Sequence, residues 1–446
     1  MLIPQVKPHL RWNRRLLWTV GWLATAGWAA AVAAVSALDT HRVWGAFAAA
    51  GYLVAAAVST GPDRDRTRAV AVGAALAGAV VTPLLYLLAT GAAQSEVEVI
   101  ERSGRLLVEH ATPYLDDPRS VVEVTPYLPG MALLGLPRAV LGGDGPVARV
   151  LGDARPWCAA VLLGCLWAGG RVVTPATGGA SRAVTPGTGG GSRAVTPGTG
   201  GGSRAVTPGT GGGSRTVLGA LVASPVIALP LAVSGVDLPL AGLLCLALAF
   251  ASRNRPIGAG LALAAACSMK WTAWPAVCVV FALLAHRAGP RAAVRGAVTT
   301  LTGTAVAVLP GVLLSPRAVA EQVFAFPTGR GEFATPASSP LPGRLLADLG
   351  PAGWYAAVGL LLAAGLAIGV SLVLRPPGHL VGAADRLALG LSAAFLLAPA
   401  GRFGYLALPV LLACWARAAA PARPLSAPAL VSGTRVLPAA LKDVPA

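Results

Sequence analysis

The stretch AGWYAAVGLLLAAGLAIGVSLVL, residues 352–374, decides the fold class: 23 consecutive residues without a charge. As helix, about 20 such residues cross roughly 30 Å of hydrocarbon. Eleven more apolar segments accompany it, near 16–38, 43–60, 69–93, 156–170, 216–233, 238–252, 256–269, 272–286, 295–314, 385–399 and 404–418. The chain of 446 residues is 55% hydrophobic and 12% charged, with a mean hydropathy of +0.67. A soluble domain carries about 25% charge, so an ordinary globular enzyme is excluded, and so is a disordered chain. The expectation is an all-α, polytopic membrane protein with about 10–12 transmembrane helices.

Charge sets the expected orientation. With the N-terminus inside, 23 of the 35 Lys and Arg fall on the inner side and 14 of the 18 acids on the outer. The positive-inside rule then puts both termini in the cytoplasm, and the alanine-, glycine- and arginine-heavy composition, typical of a GC-rich bacterial genome, leads us to expect a plasma membrane. The net charge of +17 reads as an inner surface facing anionic lipid, since no nucleic-acid module is recognisable. Six cysteines lie in apolar segments without a CxxC pair, so neither disulfide nor zinc is indicated. Segments 256–269 and 272–286 are short. They are expected to form a hairpin reaching partway across, with Lys270, Trp271 and Trp274 at its tip. One long helix kinked at Pro275 would instead put Arg287, Arg291 and Arg295 outside.

Four regions follow. Residues 1–170 hold the first transmembrane helices and an outer loop, 94–155. Residues 171–215 repeat AVTPGTGGGSR with a period of 11, and Gly and Pro at that density make a flexible cytoplasmic linker. Residues 216–418 form a second bundle with an outer loop, 315–351, and 419–446 form a cytoplasmic tail. Long loops tend to carry function. The first has seven carboxylates before residue 130, and 96–109 suits a helix along the membrane with Val99, Leu106 and Leu107 on its apolar face.

The order of residues in that loop is informative. Glu96-Val-Glu-Val-Ile-Glu-Arg-Ser-Gly-Arg-Leu-Leu-Val-Glu-His-Ala-Thr-Pro-Tyr114 is followed by Thr125-Pro-Tyr-Leu-Pro-Gly-Met-Ala-Leu-Leu-Gly-Leu-Pro137. This resembles the first outer loop of the GT-C membrane glycosyltransferases, particularly glycosyltransferase family 87, the polyprenyl-phosphate-mannose-dependent mannosyltransferases. Glu96 falls on the family's acidic position, Val99-Ile100 on its Val-Tyr pair and Gly104 on its glycine. Leu106-Leu107, Pro113-Tyr114 and Tyr127-Leu-Pro129 follow the later steps. The chain departs in having Glu for the commoner Asp, Ile100 for an aromatic, and three apolar segments before the loop where the family usually has one.

The resemblance implies a GT-C-like bundle and a transferase of a sugar, mannose, from a polyprenyl-phosphate donor to a lipid or glycan acceptor on the outer face. It implies Glu96 as base, with Glu98 beside it if the segment is extended. No cofactor is called for, because the donor carries its own leaving group and needs no nucleotide; no metal site is read from the sequence, His110 being too isolated for one, and metal dependence is left open. Lys270 and Arg402, at helix junctions among apolar residues, are candidates for the donor phosphate, against simple snorkelling to headgroups. Asp237 suits a sugar hydroxyl or a helix cap. Tyr127 and Tyr114 join the substrate-binding set, and Phe324, Phe326, Arg330, Glu332 and Phe333 suit sugar stacking or interfacial anchoring. The competing reading is a transporter or lipid flippase, against which stands the absence of internal repeats between halves. A third is a degenerate scaffold.

Overall fold

A computed structural model describes residues 14–142, 145–174 and 211–420, with side chains from 215 onward in the last segment. Those residues fold into helices joined by irregular connections, with one isolated bridge between Ser338 and Gly401. The basic residues Lys7 and Arg11, almost all of the 11-residue repeat and nearly the whole tail lie outside the described residues. The helix Gly211–Ala223 takes in the glycines of the last repeat copy, where the sequence argued for none.

Among the described residues eight helices are long and apolar enough to cross a membrane: Arg14–Val35, Asp39–Ser59, Asp65–Thr90, Ala154–Val173, Trp271–Ala288, Pro290–Leu314, Pro351–Leu374 and Leu380–Leu397. The chain is a multi-pass membrane protein. Arg215–Ala223 and Pro225–Val233 make a ninth span if taken together, bent by 60°. The bend sits where it must: Pro225 lacks an N–H and keeps Ser224 in an extended conformation. Eight or nine such spans stand beside the roughly 10–12 expected, and the difference lies in apolar helices that are short. Leu238–Ser252, Pro256–Met269 and Phe403–Ala419 are apolar but short. At 1.5 Å per residue the first two reach only about 21–23 Å. Leu238–Ser252 is buried on almost every side, so neighbouring helices rather than lipid surround it.

The reversal expected at Lys270 is present. Lys270 is extended (φ −154°, ψ 134°) and breaks the helical path. Gly260 lies against Gly296 and Thr299, and Ala264 against Gly303, so Pro256–Met269 runs parallel to Pro290–Leu314. Phe281 and Leu284 meet Gly296, so Trp271–Ala288 runs antiparallel to it. The second limb is longer than expected and is itself one of the eight candidate spans.

Hydrogen bonds gather several connections at one end of the bundle. Leu128 N–H donates to the Met269 carbonyl at 2.9 Å. Thr125 N–H donates to Gln322 Oε1 at 2.9 Å, and Gln322 Nε2 donates to the Leu115 carbonyl at 2.6 Å. Ser339 and Gly401 are joined by a 3.0 Å backbone bond. At the opposite end Arg287 reaches Asn254 (3.3 Å) and the Gly378 carbonyl (3.0 Å), and Arg417 pairs with Asp385 at 2.6 Å.

The loop helix, Ser95–His110, buries Val97, Val99, Ile100, Ser103 and Gly104, whereas Leu106 and Leu107 are only half-buried. The motif glycine now has a physical reason. Gly104 packs on the backbone of Gly135, and a Cβ on either would overlap the other strand of chain. Glu101 accepts from Arg138 Nε at 2.9 Å and from Ala154 N–H at 3.2 Å, tying this helix to the start of Ala154–Val173. Burial pushes the Glu101 carboxyl above its ordinary value, against the pull of Arg138. Next to it the wholly buried Arg155 makes a two-pronged pair with Asp153, at 2.9 and 2.7 Å, and donates to the carbonyls of Ala92 (3.0 Å) and Ala232 (3.2 Å). One side chain thereby holds three connections together.

Candidate functional site

Glu96 stands in the first turn of Ser95–His110, half-buried, and its carboxylate is ion-paired with Arg402. Arg402 comes from far along the chain. It is extended (φ −126°, ψ 145°) just before the short turn Phe403–Leu406, and the backbone bonds of Gly401 to Ala337 (2.9 Å) and Ser339 hold it there.

A second ion pair shares the cavity. Lys270 Nζ donates to Asp237 Oδ1 at 2.7 Å and lies 5.6 Å from the Tyr127 ring centroid and 5.0 Å from that of Tyr405. Burial disfavours the ammonium, but Asp237 and Tyr405 overcome it and raise the Lys270 pKa above the ordinary value. Burial pushes the Tyr127 hydroxyl well up, and the carboxylates of Asp237 and Glu96 push it further, so this phenol stays protonated. Asp237 caps nothing through its side chain. Its carboxylate is spent on Lys270, not on the helix that follows.

Glu96, Tyr127, Asp237, Lys270, Arg402 and Tyr405 all line one cavity of about 2160 Å³. Typical small-molecule sites enclose about 300–1,000 Å³. The remainder of the wall is mainly apolar: Val226, Leu229 and Val233 from the bent pair, and Leu361, Ile368 and Leu372 from Pro351–Leu374. A polar head with two cations opens into a long apolar groove.

Two expected residues lie elsewhere. Glu98 is exposed and does not line the cavity. The segment is helical rather than extended, so residues two apart diverge by about 200° and only one acid can face inward. Tyr114 is buried beneath the site and donates to the Tyr127 carbonyl at 2.9 Å, so it supports a wall residue without touching the cavity. Of the second loop's residues, Phe326 and Arg330 line the cavity, while Phe324, Glu332 and Phe333 do not.

Sequence reasoning missed His41 and Gln94, whose Nε2 atoms lie 2.6 Å apart in the cavity wall, and Tyr405 over Lys270. Tyr405 was within reach, standing three residues after Arg402. His41 carried no signal, because its partner is 53 residues away.

Chemically, the site offers two cations with carboxylates already bound to them, Arg330 as a third, and an apolar extension for a chain. Among the described residues no three His, Cys, Asp or Glu side chains are grouped to hold a metal ion. No family model matches the chain, and neither curated proteins nor solved structures give a match.

Proposed function

We propose that the protein is an integral-membrane glycosyltransferase that moves a sugar, mannose by the family resemblance, from a polyprenyl-phosphate donor to a lipid or glycan acceptor on the outer face. The observation that carries this is the shared cavity. Glu96, Lys270 and Arg402 are distant in sequence, yet line one space whose apolar part suits an isoprenoid chain. On this reading the polar end of the bundle is the outer one.

In the proposed reaction the acceptor hydroxyl attacks the sugar carbon, and the bond from that carbon to the phosphate oxygen breaks with its electron pair. The proton passes to the Glu96 carboxylate, and polyprenyl phosphate leaves with its added charge held by Lys270 and Arg402. The two ion pairs shape the order of events. An entering phosphate competes with Glu96 for Arg402 and with Asp237 for Lys270. Donor binding therefore loosens Glu96 from Arg402 just when a base is needed, and Asp237 becomes free to orient a sugar hydroxyl. Tyr127, protonated, is a donor to either oxygen.

A lipid flippase is the second reading, favoured by one feature. Cys278, Gly369 and Leu372 border both the main cavity and a smaller one of about 420 Å³ near His286 and Pro376, toward the far end. One experiment separates the two readings. Purified protein in liposomes is given labelled polyprenyl-phosphate mannose and a panel of lipid acceptors. Mannosylated acceptor supports the transferase; movement of the donor between leaflets without transfer refutes it in favour of the flippase.

A further inference from the structure

The polar end of the cavity is charge-balanced, since Lys270 and Arg402 each have a carboxylate of their own. Arg330 is different. It lines the same cavity, and among the described residues no carboxylate pairs with it. Its guanidinium lies over the Trp354 ring at 3.8 Å and 5.4 Å from the Tyr355 ring centroid, and Nη2 donates to the Tyr355 hydroxyl at 3.1 Å. Trp354 is held in turn, donating Nε1–H to the Thr328 carbonyl at 3.2 Å. An arginine backed by an aromatic face keeps its orientation, and its remaining N–H groups form a planar fork suited to two oxygens of a phosphate.

Position narrows the ligand. Trp354 and Tyr355 are the fourth and fifth residues of the membrane-spanning Pro351–Leu374, near its start, where aromatic residues mark the headgroup level. Directly along that helix the cavity wall continues with Val358 and Leu361, which are apolar. An anion held at Arg330 thus has a place for acyl chains beside it. Arg330 is exposed, so a headgroup reaches it before it meets the balanced pairs deeper in.

We infer that Arg330, on its Trp354–Tyr355 support, is a second anion subsite that takes the headgroup of a phospholipid with net negative charge, and that this lipid is the acceptor. Calling it the acceptor rests on the transferase reading above; the binding itself does not. The arrangement gives the donor phosphate the Lys270 and Arg402 cations and the acceptor headgroup Arg330, which among the described residues has no internal carboxylate to displace.

The test reads binding. Protein purified in a neutral detergent is titrated with phosphatidylglycerol or phosphatidylcholine, and bound lipid is counted by native mass spectrometry. Wild type should retain phosphatidylglycerol about tenfold better. Arg330→Gln should abolish that preference while binding decaprenyl phosphate as wild type does, which also verifies its fold. Arg330→Lys should keep part of it, having the charge but not the fork. Arg317→Gln removes another exposed arginine of the same loop that does not line the cavity, and should change nothing. An undiminished preference in Arg330→Gln, or an equal loss in Arg317→Gln, would overturn the subsite. Free glycerol 1-phosphate should displace the lipid only weakly; equal competition would overturn the lipid assignment in favour of a soluble phosphate. If the preference behaves as stated while no acceptor is ever mannosylated, the transferase reading fails and the subsite stands.

Discussion

Neutralising one or the other member of the Lys270–Asp237 pair should move phosphate binding in opposite directions. Lys270→Met removes a charge-assisted hydrogen bond of roughly 1.5–3 kcal/mol, so polyprenyl phosphate should bind roughly 10- to 150-fold more weakly. Asp237→Asn removes the carboxylate that competes for Lys270 and should bind the same lipid more tightly, although transfer falls. Equilibrium binding of a labelled polyprenyl phosphate checks both; weaker binding in Asp237→Asn would mean the pair acts as a unit and not as competitors. The base is tested separately. Glu96→Gln keeps the size and loses the proton acceptor, so transfer should drop by about 10²–10⁴ with expression unchanged. Glu98→Gln should transfer like wild type, because Glu98 faces away from the cavity. Initial rates with the same donor and acceptor decide it: an active Glu96→Gln removes the proposed mechanism.

At the scale of elements, the site depends on a clamp that contributes nothing to its chemistry. Arg155 begins the span Ala154–Val173 and binds Asp153 together with the carbonyls that close Asp65–Thr90 and Pro225–Val233. Breaking a buried ion pair by removing one partner costs about 3–5 kcal/mol, because the other charge stays buried and uncompensated. Arg155→Leu should therefore lower the thermal midpoint of the detergent-solubilised protein sharply. Arg155→Leu combined with Asp153→Leu should recover much of that loss but not the geometry, since the two carbonyls still lose their donor. Full recovery of activity in the double variant would show that Arg155 positions nothing. The sequence indicated this clamp poorly. Asp153 and Arg155 read as two more charges in an acidic loop, and only the approach of residues 92 and 232 makes them a joint. Glu96 against Glu98 has the same origin: choosing between them needs the local conformation, because an extended segment would put both acids on one face and a helix only one.

At the scale of the whole molecule, the alternation of helix direction puts the connections 94–155 and 315–351 at the site end, with 253–255 and 375–379 opposite. If the site end is the outer one, single cysteines in the first two loops should react with an impermeant thiol reagent on intact cells, in a background where Cys278 and Cys414 are replaced. Cysteines in the other two should react only after permeabilisation; the reverse pattern would invert the orientation. All twelve apolar segments read from the chain are helical in the structure, eight of the described helices long enough to cross a membrane, and the reversal at Lys270 occurs where charge argued for it. The sequence alone determined these because a bilayer demands apolar length and internally satisfied backbone, which are local properties of a segment. It also marked Lys270, Arg402 and Asp237, since an ionisable group among apolar residues stands out by cost alone, and Glu96 through the resemblance of its loop. Only the tertiary structure decided that these four form two ion pairs in one cavity, that Glu98 and Tyr114 are not part of its wall, and that His41, Tyr405 and Arg330 are. Those outcomes depend on contacts between residues up to 306 positions apart, and distance in the chain carries no record of proximity in space.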